Sequence, residues 1–515
     1  MQNGLKFVLS AFFKNSKTGV KKLLLRKESF FVVFYFFLIL FPVFILGADF
    51  FNVALFKKVF EDKTINILLN GFFQSSLSVI LSLFVGIPIA FYISSKDDWV
   101  SKIASSTIFI PYFFPSVATG IAVSQLLKGT NLNYSLFSLV LAHFFYNSPI
   151  IIKYASESLK NLDKDLVDSA KLDGASRLTI FFFIIIPQIK DGLLRGVFLA
   201  FVYCFTSFAV VLSVGNIKFS TFETAIYSSM YGKFDVSEAF FYAIFQFFIL
   251  SAINVLFFNR EKDVVTKSYK ISNENNVKVS NFFIVIVLIY VIFEYGIIAN
   301  SVFNSIFNSF SGKIDISPFL RLFSAKFNAL YPVISSIFNS LSLGFAVSLC
   351  SIILGVFALE NRGKLTDFGI LLSFGFSTAF FALSLFYLNV KFSIDLLILL
   401  GLGLSVISIP IVYSFLYDNY INFDKNLIKL SKIDGCNGLK TFLYVKFPIM
   451  RSSIITVFFQ IFTIVYGEFT LVFSMKLQKT FETASVTNYL ISSKRMTSEA
   501  AAFNTLNILI VIFIF

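Results

Sequence analysis

NLDKDLVDSAKLDGASRLTIFFFIIIP, residues 161–187, occurs twice in this chain, the second time in divergent form. Residues 422–448 read NFDKNLIKLSKIDGCNGLKTFLYVKFP and align with the first stretch without gaps, with ten of 27 positions identical. A repeat of this length predicts that one unit of the fold is present in two copies. The shared positions include three pairs at an offset of 261 residues: Asp173 and Asp434, Gly174 and Gly435, and Pro187 and Pro448.

The similarity between the two copies extends beyond this stretch. Pro149 and Pro410 share the same offset, as do Glu238 and Glu499, and TFETA occurs at residues 221–225 and again at 480–484. A duplicated unit with an even number of membrane helices keeps its topology in both copies. We therefore expect a pseudo-two-fold axis along the membrane normal, with any shared pathway between the halves.

The composition indicates a membrane protein. Of the 515 residues, 57% are hydrophobic and only 14% are charged, which excludes an ordinary water-soluble domain. The fold class is predicted to be all-α, a polytopic membrane protein with about 12 transmembrane helices in two homologous six-helix halves. The apolar runs lie near residues 30–47, 74–93, 103–126, 136–152, 192–213, 239–258, 282–299, 338–358, 369–389, 394–416, 452–474 and 500–515.

Charge and span order predict the domain organisation and orientation. Lysines before the first span, among them Lys14, Lys17 and Lys21, indicate a cytoplasmic N-terminus, and an even number of spans returns the C-terminus to the same side. The net charge of +14 is thereby assigned to cytoplasmic loops and not to nucleic-acid binding. Four segments are predicted: a tail with the first helix and an external segment (1–64), a first repeat (65–258), a linker with the seventh helix and an external segment (259–332), and a second repeat (333–515).

The sequence contains no motif that is typical of metal or cofactor binding. Cys204, Cys350 and Cys436 are isolated, and His143 is the only histidine. Neither a Cys-x-x-Cys pair nor a phosphate-binding G-x-x-x-x-G-K-[ST] segment occurs. We therefore expect no metal, no cofactor and no catalytic residue. His143, in the apolar run LAHFFYN, is predicted to be a packed or hydrogen-bonded interior residue, with substrate contact as the alternative.

The repeated stretch itself is predicted to form a helix-turn-helix. Apolar residues recur at helical spacing from Leu159 to Leu172, and the Asp-Gly pair then ends the helix, because glycine readily adopts the left-handed conformation. A second helical run leads up to Pro187. An interfacial helix pair packed on lipid headgroups is one interpretation. Recurrence at the same site in both halves favours the other, a docking element for a dimeric partner.

At these residues the sequence resembles the permease subunits of binding-protein-dependent ABC importers, whose cytoplasmic loop reads Glu-Ala-Ala, three residues, Gly, then about a dozen residues to Pro. The second copy keeps the glycine and the proline but has Lys429 at the acidic position. LLNGFFQSSLSVILSLFVGIPIAFYIS, IPYFFPSV and LAHFFYNSP also resemble helices of this family. The resemblance implies ATPase-coupling roles for Asp168, Ala170, Asp173, Gly174, Pro187, Asp434, Gly435 and Pro448.

Among these permeases, a single chain with two halves after an extra helix is similar to the ferric-iron and thiamine importers, with phosphonate permeases a further possibility. The resemblance implies a transport subunit and not an enzyme. It also implies that two copies of an ABC ATPase dock on the loops and that a periplasmic or lipoprotein binding protein delivers the substrate. The expected location is the bacterial cytoplasmic (inner) membrane, with the chain embedded in the lipid bilayer.

Few ionisable residues lie inside the spans, and such residues tend to face a bundle interior or a water-filled path. Glu468 follows the second loop and corresponds to Ser207 in the first half. Both, with His143, are candidates for the translocation pathway, while helix–helix hydrogen bonding is the alternative for Glu468. Glu294 is expected to have a packing or interfacial role. A secondary transporter driven by an ion gradient is the main alternative function, and a channel or membrane enzyme is the third.

Overall fold

The structure of the protein is a computed structural model, and it describes residues 27–52, 57, 61–108, 110–111, 114–160, 162–215, 217–258, 282–308, 313–421, 423–478 and 480–514. Most of these residues are helical. The predicted all-α membrane fold is confirmed. The N-terminal lysine cluster before residue 27 and the linker at 259–280 lie outside the described residues.

The first half of the chain contains eleven α-helices within the described residues. Many of them are long, as an apolar sequence with few internal prolines favours. They are α1 (Lys27–Phe50), α2 (Asp62–Ser95), α3 (Trp99–Thr107), α4 (Ser116–Leu126), α5 (Leu136–Lys160), α6 (Lys164–Leu172), α7 (Arg177–Ile180), α8 (Ile186–Phe205), α9 (Ala209–Val214), α10 (Phe222–Tyr227) and α11 (Val236–Phe258).

The second half adds thirteen α-helices and one short hairpin. The strands β1 (Phe307–Asn308) and β2 (Lys313–Ile314) pair antiparallel after the first of these helices. The helices are α12 (Phe282–Ile306), α13 (Ser317–Leu322), α14 (Ala325–Leu330), α15 (Val333–Glu360), α16 (Lys364–Ser373), α17 (Thr378–Phe392), α18 (Leu396–Ile421), α19 (Lys425–Ile433), α20 (Gly438–Thr441), α21 (Phe447–Tyr466), α22 (Thr470–Ser474), α23 (Ala484–Ser493) and α24 (Thr497–Ile514).

The duplication is visible in the element boundaries. Helices α6 and α19 begin and end at positions that differ by 261 residues, and so do α7 and α20, and α8 and α21. Helices α11 and α24 also begin at that offset. The two copies therefore share their helix boundaries across the repeated stretch and at the start of the last helix of each half. The four-segment division of the chain stays a prediction.

In the described part of the chain, nine helical segments are long and apolar enough to cross a membrane. The predicted spans 103–126, 192–213 and 369–389 are not among them. Residues 103–126 are split between α3 and α4, with Pro111 and Pro115 in the gap, because proline removes a helical hydrogen bond. Helix α8 ends at Phe205, short of the predicted boundary, and residues 369–389 are divided between α16 and α17. The number twelve stays a prediction.

The described residues form two compact units. One contains residues up to 49 with 346–375 and 384–461, and the other contains 50–345, 376–383 and 462–515. In the larger unit, α2, α5 and α8 approach closely at small residues. A Cβ on Gly196 would lie 3.3 Å from the Cα of Ile151. Glu294 of α12 is fully buried, which agrees with a packing role and excludes an interfacial one.

Candidate functional site

The two copies of the repeated stretch fold as helix-turn-helix segments, here called the first loop (163–187) and the second loop (424–448). Each begins with an aspartate cap. The Asp163 side chain accepts a hydrogen bond from the Asp165 N–H at 3.0 Å, and Asp424 accepts one from Asn426 at 2.8 Å. Capping satisfies one of the amide groups that have no partner at a helix start. Both loops therefore begin by the same local interaction.

The Asp-Gly pairs end the first helix of each loop in a Schellman turn. Gly174 has φ +78°, and the N–H of Ala175 donates to the Ala170 carbonyl at 3.0 Å. Gly435 has φ +79°, and Cys436 donates to Ser431 at 2.9 Å. Only glycine adopts this conformation without strain. The predicted left-handed glycines are confirmed. Asp173 and Asp434 are exposed cap residues that precede them.

A widened helical turn precedes the proline of each loop. Residues Phe181–Ile185 and Phe442–Lys446 are π-helical, and α8 and α21 continue directly from them. Proline has no N–H and its ring collides with the carbonyl four residues earlier, so the chain is accommodated by one longer turn. Pro187 and Pro448 are both exposed second residues of these helices. The equal spacing from glycine to proline in the two copies thus gives the second half of each loop the same shape.

Each loop exposes apolar side chains at equivalent positions. Leu172 is 89% exposed and Leu178 is 71% exposed, and their counterparts Ile433 and Leu439 are 80% and 69% exposed. Leu172, Leu178 and Ile433 lie outside the helical segments that are long and apolar enough to cross a membrane, whereas Leu439 lies at the start of one of them, Gly438–Ser474. Apolar groups held out on a rigid turn are typical of a contact surface for a partner.

Polar residues at the predicted coupling positions are solvent-exposed. Asp168 forms a 2.7 Å ion pair with Lys171, and both side chains are about half exposed or more. Such a pair contributes little to stability. Lys429 occupies the position of Asp168 in the second loop, so the two loops present opposite charges at this point. The loops share a backbone shape and an apolar surface but differ in charge.

The pathway candidates Ser207 and Glu468 lie at equivalent helix breaks in the larger unit. Ser207 lies between α8 and α9, and Glu468 lies between α21 and α22. The Thr221 hydroxyl donates to the Ser207 carbonyl at 3.3 Å, and Thr483 donates to the Glu468 carbonyl at 3.2 Å. The Glu468 carboxylate also accepts the N–H of Leu471 at 2.9 Å. Sequence reasoning did not anticipate this third role for Glu468, a cap on α22.

Aromatic rings follow both breaks and meet in the same unit. Phe208 and Phe469, which differ by 261 residues, stack at 5.9 Å between ring centroids. Phe208 also contacts Tyr227 at 5.3 Å, and Phe469 contacts Tyr489 at 5.2 Å. The chain contains 73 phenylalanines, so no single one stands out in the sequence. Phe208 and Phe469 could have been identified from the sequence by their position, because each directly follows a pathway candidate, Ser207 or Glu468.

His143, the third pathway candidate, forms no hydrogen bond to Ser207 or Glu468. It is 1% exposed in α5, and neither ring nitrogen has a hydrogen-bond partner in the described part of the chain. This agrees with a packed interior histidine. Within the described residues, no group of three or more His, Cys, Asp or Glu side chains could hold a metal ion.

Two buried carboxylates at equivalent positions carry ion pairs. Glu238 of α11 contacts Lys63 at 3.0 Å and Lys233 at 2.6 Å, and Glu499 of α24 contacts Arg321 at 2.8 Å. The sequence repeat identified the two glutamates but not their cations. Lys63 comes from the segment that precedes the first half, and Arg321 comes from the segment that precedes the second half. Each ion pair therefore joins the beginning of a half to the last helix of the same half.

Comparison with known proteins agrees with this architecture. The family described as binding-protein-dependent transport system inner membrane component matches residues 82–260. The thiamine transport system permease ThiP of Haemophilus influenzae is 26% identical over 280 residues, which cover 48% of this chain and 50% of that protein. The probable transport system permease NifC of Clostridium pasteurianum is 24% identical over 222 residues, which cover 40% and 78%.

A molybdenum transport system permease, ModB of Azotobacter vinelandii, is 24% identical over 203 residues, which cover 35% of this chain and 88% of that protein. The matched region thus spans half the length of the thiamine permease and a larger share of the length of NifC and ModB. The matched region contains the first loop with Gly174 and Pro187 and the break at Ser207. Residues 82–260 are thus similar to the inner-membrane components of binding-protein-dependent transport systems, and the relatives described here are named as permeases of such systems.

Proposed function

We propose that this chain forms the translocation pathway of an ABC importer in the bacterial cytoplasmic membrane, with both termini in the cytoplasm. The observation that carries the proposal is the duplicated loop, with the same aspartate cap, the same left-handed glycine and the same π turn in both copies. Two docking elements of one shape fit two copies of one ATPase subunit. A substrate-binding protein on the external side would deliver the substrate.

The exposed apolar side chains explain how the loops would transmit force. Leu172 and Ile433 end their helices directly before the cap, so they would be inserted into a cleft of the ATPase. The Schellman turn holds each helix at a fixed angle to the following π turn, which continues into α8 or α21. Movement of an ATPase would therefore be transferred to a membrane helix as a rigid-body shift, the motion that alternating access requires.

ATP binding is assigned to the partner, since the sequence contains no G-x-x-x-x-G-K-[ST] segment. Of the substrates that the resemblance suggested, thiamine is supported by the name of the Haemophilus relative, and none of the relatives described above is named for iron. Molybdate is a further candidate from the Azotobacter relative. Translocation of thiamine is therefore the form of the proposal to be tested first.

Charged substitutions in the loops test the docking role. The full chain, purified in nanodiscs with its ATPase, is expected to hold two ATPase copies by native mass spectrometry. Leu172→Asp places a charge in the first apolar contact and should leave one copy, and the double variant with Ile433→Asp should leave none. Leu330→Asp is the matched control, because Leu330 is 71% exposed and lies outside both loops. A double variant that still holds two copies would refute the docking role.

A further inference from the structure

The aromatic rings beside the two helix breaks already hold a cation. We define the aromatic cluster as Phe208, Tyr227, Tyr231, Phe469, Phe473 and Tyr489. The Lys476 ammonium lies 4.0 Å from the ring centroid of Tyr231, 5.3 Å from that of Tyr227 and 6.0 Å from that of Phe473. Cations over aromatic faces are attracted by the negative ring face. The cluster therefore has the chemistry of a cation cage.

Lys476 reaches this position from a turn just after α22. Its Nζ donates to the Tyr227 hydroxyl at 3.2 Å, and no carboxylate pairs with it in the described part of the chain. Its backbone has φ +56°, a conformation that a non-glycine side chain adopts at a cost. Burial lowers the pKa of Lys476 from its ordinary value. The ammonium is thus held by rings and one hydroxyl, not by an opposite charge.

Glu468 is the acidic residue next to the cluster in the chain. It directly precedes Phe469, and its carboxylate accepts the Leu471 N–H but contacts no cationic side chain within the described residues. An uncompensated carboxylate inside a span is costly. A cationic ligand that contacts both the rings and Glu468 would provide the compensation that Lys476 does not.

The cluster is also nearly symmetric. Phe208 with Tyr227 in the first half repeats Phe469 with Tyr489 in the second, with centroid distances of 5.3 and 5.2 Å, and the two phenylalanines stack on each other. Phe208 and Phe469 are almost fully buried, while the three tyrosines are only partly buried. Two rings of the cluster are thus buried, while its three tyrosines keep part of their surface exposed, as contact with a ligand requires.

We propose that the aromatic cluster is the substrate site of the proposed permease, that it takes an organic cation with an aromatic ring, and that Lys476 occupies the site until this ligand displaces it. The inference rests on the proposed function for its biological role, but the binding chemistry stands on the cluster. An oxyanion ligand would instead be bound by Lys476 and repelled by Glu468.

Ligand binding to the full chain in nanodiscs tests the proposal. The probes are thiamine, an aromatic organic cation, and molybdate, an oxyanion. Thiamine should bind, and Tyr231→Leu should weaken it by about 3- to 30-fold, while Tyr231→Phe, which keeps the ring, should bind within about 3-fold of wild type. Lys476→Met removes the resident cation at similar length and should strengthen thiamine binding by about 3-fold or more.

The outcomes separate this inference from the proposed function. Absence of thiamine binding in wild type and in Lys476→Met, with ATPase association intact, would overturn the inference and leave the permease role standing. Molybdate binding that Lys476→Met abolishes would overturn it in favour of an anion site. Thiamine binding with the expected order of variants, in a chain that fails to associate with the ATPase, would support the cation site and overturn the proposed function.

Discussion

Replacing the two left-handed glycines by valine tests how the loops are shaped. A Cβ built on Gly174 or Gly435 meets no heavy atom within 4 Å, so neither substitution creates a steric clash with a neighbour. The cost comes from the backbone alone, because φ is +78° at one site and +79° at the other. For a non-glycine residue this conformation costs about 1–2 kcal/mol.

That strain acts on the turn and not on the core. The loop relieves it by opening the bonds from Ala175 to Ala170 or from Cys436 to Ser431, which releases the helix that carries Leu172 or Ile433. A change of about 1–2 kcal/mol alters an equilibrium by about 5- to 30-fold. We therefore expect Gly174→Val to weaken binding of one ATPase copy by that factor, measured by titrating labelled ATPase onto the chain in nanodiscs.

Two glycines elsewhere provide matched controls. Gly129 has φ +81° and no atom within 4 Å of a built Cβ, but it lies outside both loops, so Gly129→Val introduces the same strain without an expected effect on ATPase binding. Gly438 lies in the second loop with open space around it and no left-handed φ, so Gly438→Ala should also bind normally. Normal binding by Gly174→Val and Gly435→Val, or an equal loss in Gly129→Val, would refute the reasoning.

Two further predictions concern carboxylates of the larger unit. Glu468→Gln deletes the charge but keeps an acceptor for the Leu471 N–H, so uptake of a cationic substrate should fall while thermal stability is preserved; wild-type uptake would remove Glu468 from the pathway. Glu468→Leu should lower stability by about 0.6–2 kcal/mol, because it removes the cap on α22. Glu499→Gln weakens the pair with Arg321 and should lower the unfolding free energy by about 1 kcal/mol, whereas Lys171→Ala, which breaks the exposed pair with Asp168, should leave the melting temperature unchanged.

The local features of the loops could be predicted from the sequence because short-range chemistry determines them. An Asp-Gly pair after a helical pattern specifies a left-handed end, and a proline specifies a disturbed turn, whatever surrounds them. The repeat strengthened this prediction, because Gly174 and Gly435 occupy the same position in its two copies. The structure confirms the left-handed glycines and adds the π turns, which the apolar letters FFFII do not reveal.

The helix breaks and the aromatic cluster could not be predicted, because long-range contacts create them. The break at Ser207 contains neither proline nor glycine, and its carbonyl is satisfied by Thr221, which comes from a later element. The second TFETA shows a related difficulty. Its threonine at 480 matches Thr221 in letters, but Thr483 is the residue that precedes α23 and bonds to Glu468. The identical TFETA segments therefore occupy different positions relative to the helices that follow them.

The central proposal is that this chain is a permease driven by a separate ATPase, and reconstituted uptake tests it most directly. Proteoliposomes would contain the full chain with or without its ATPase subunit, and the substrate-binding protein and labelled thiamine would be added on the external side. Uptake that requires both the ATPase and ATP, and that the double variant Leu172→Asp with Ile433→Asp abolishes, is the predicted result. Uptake by the chain alone, driven by an ion gradient without ATP, would contradict the account.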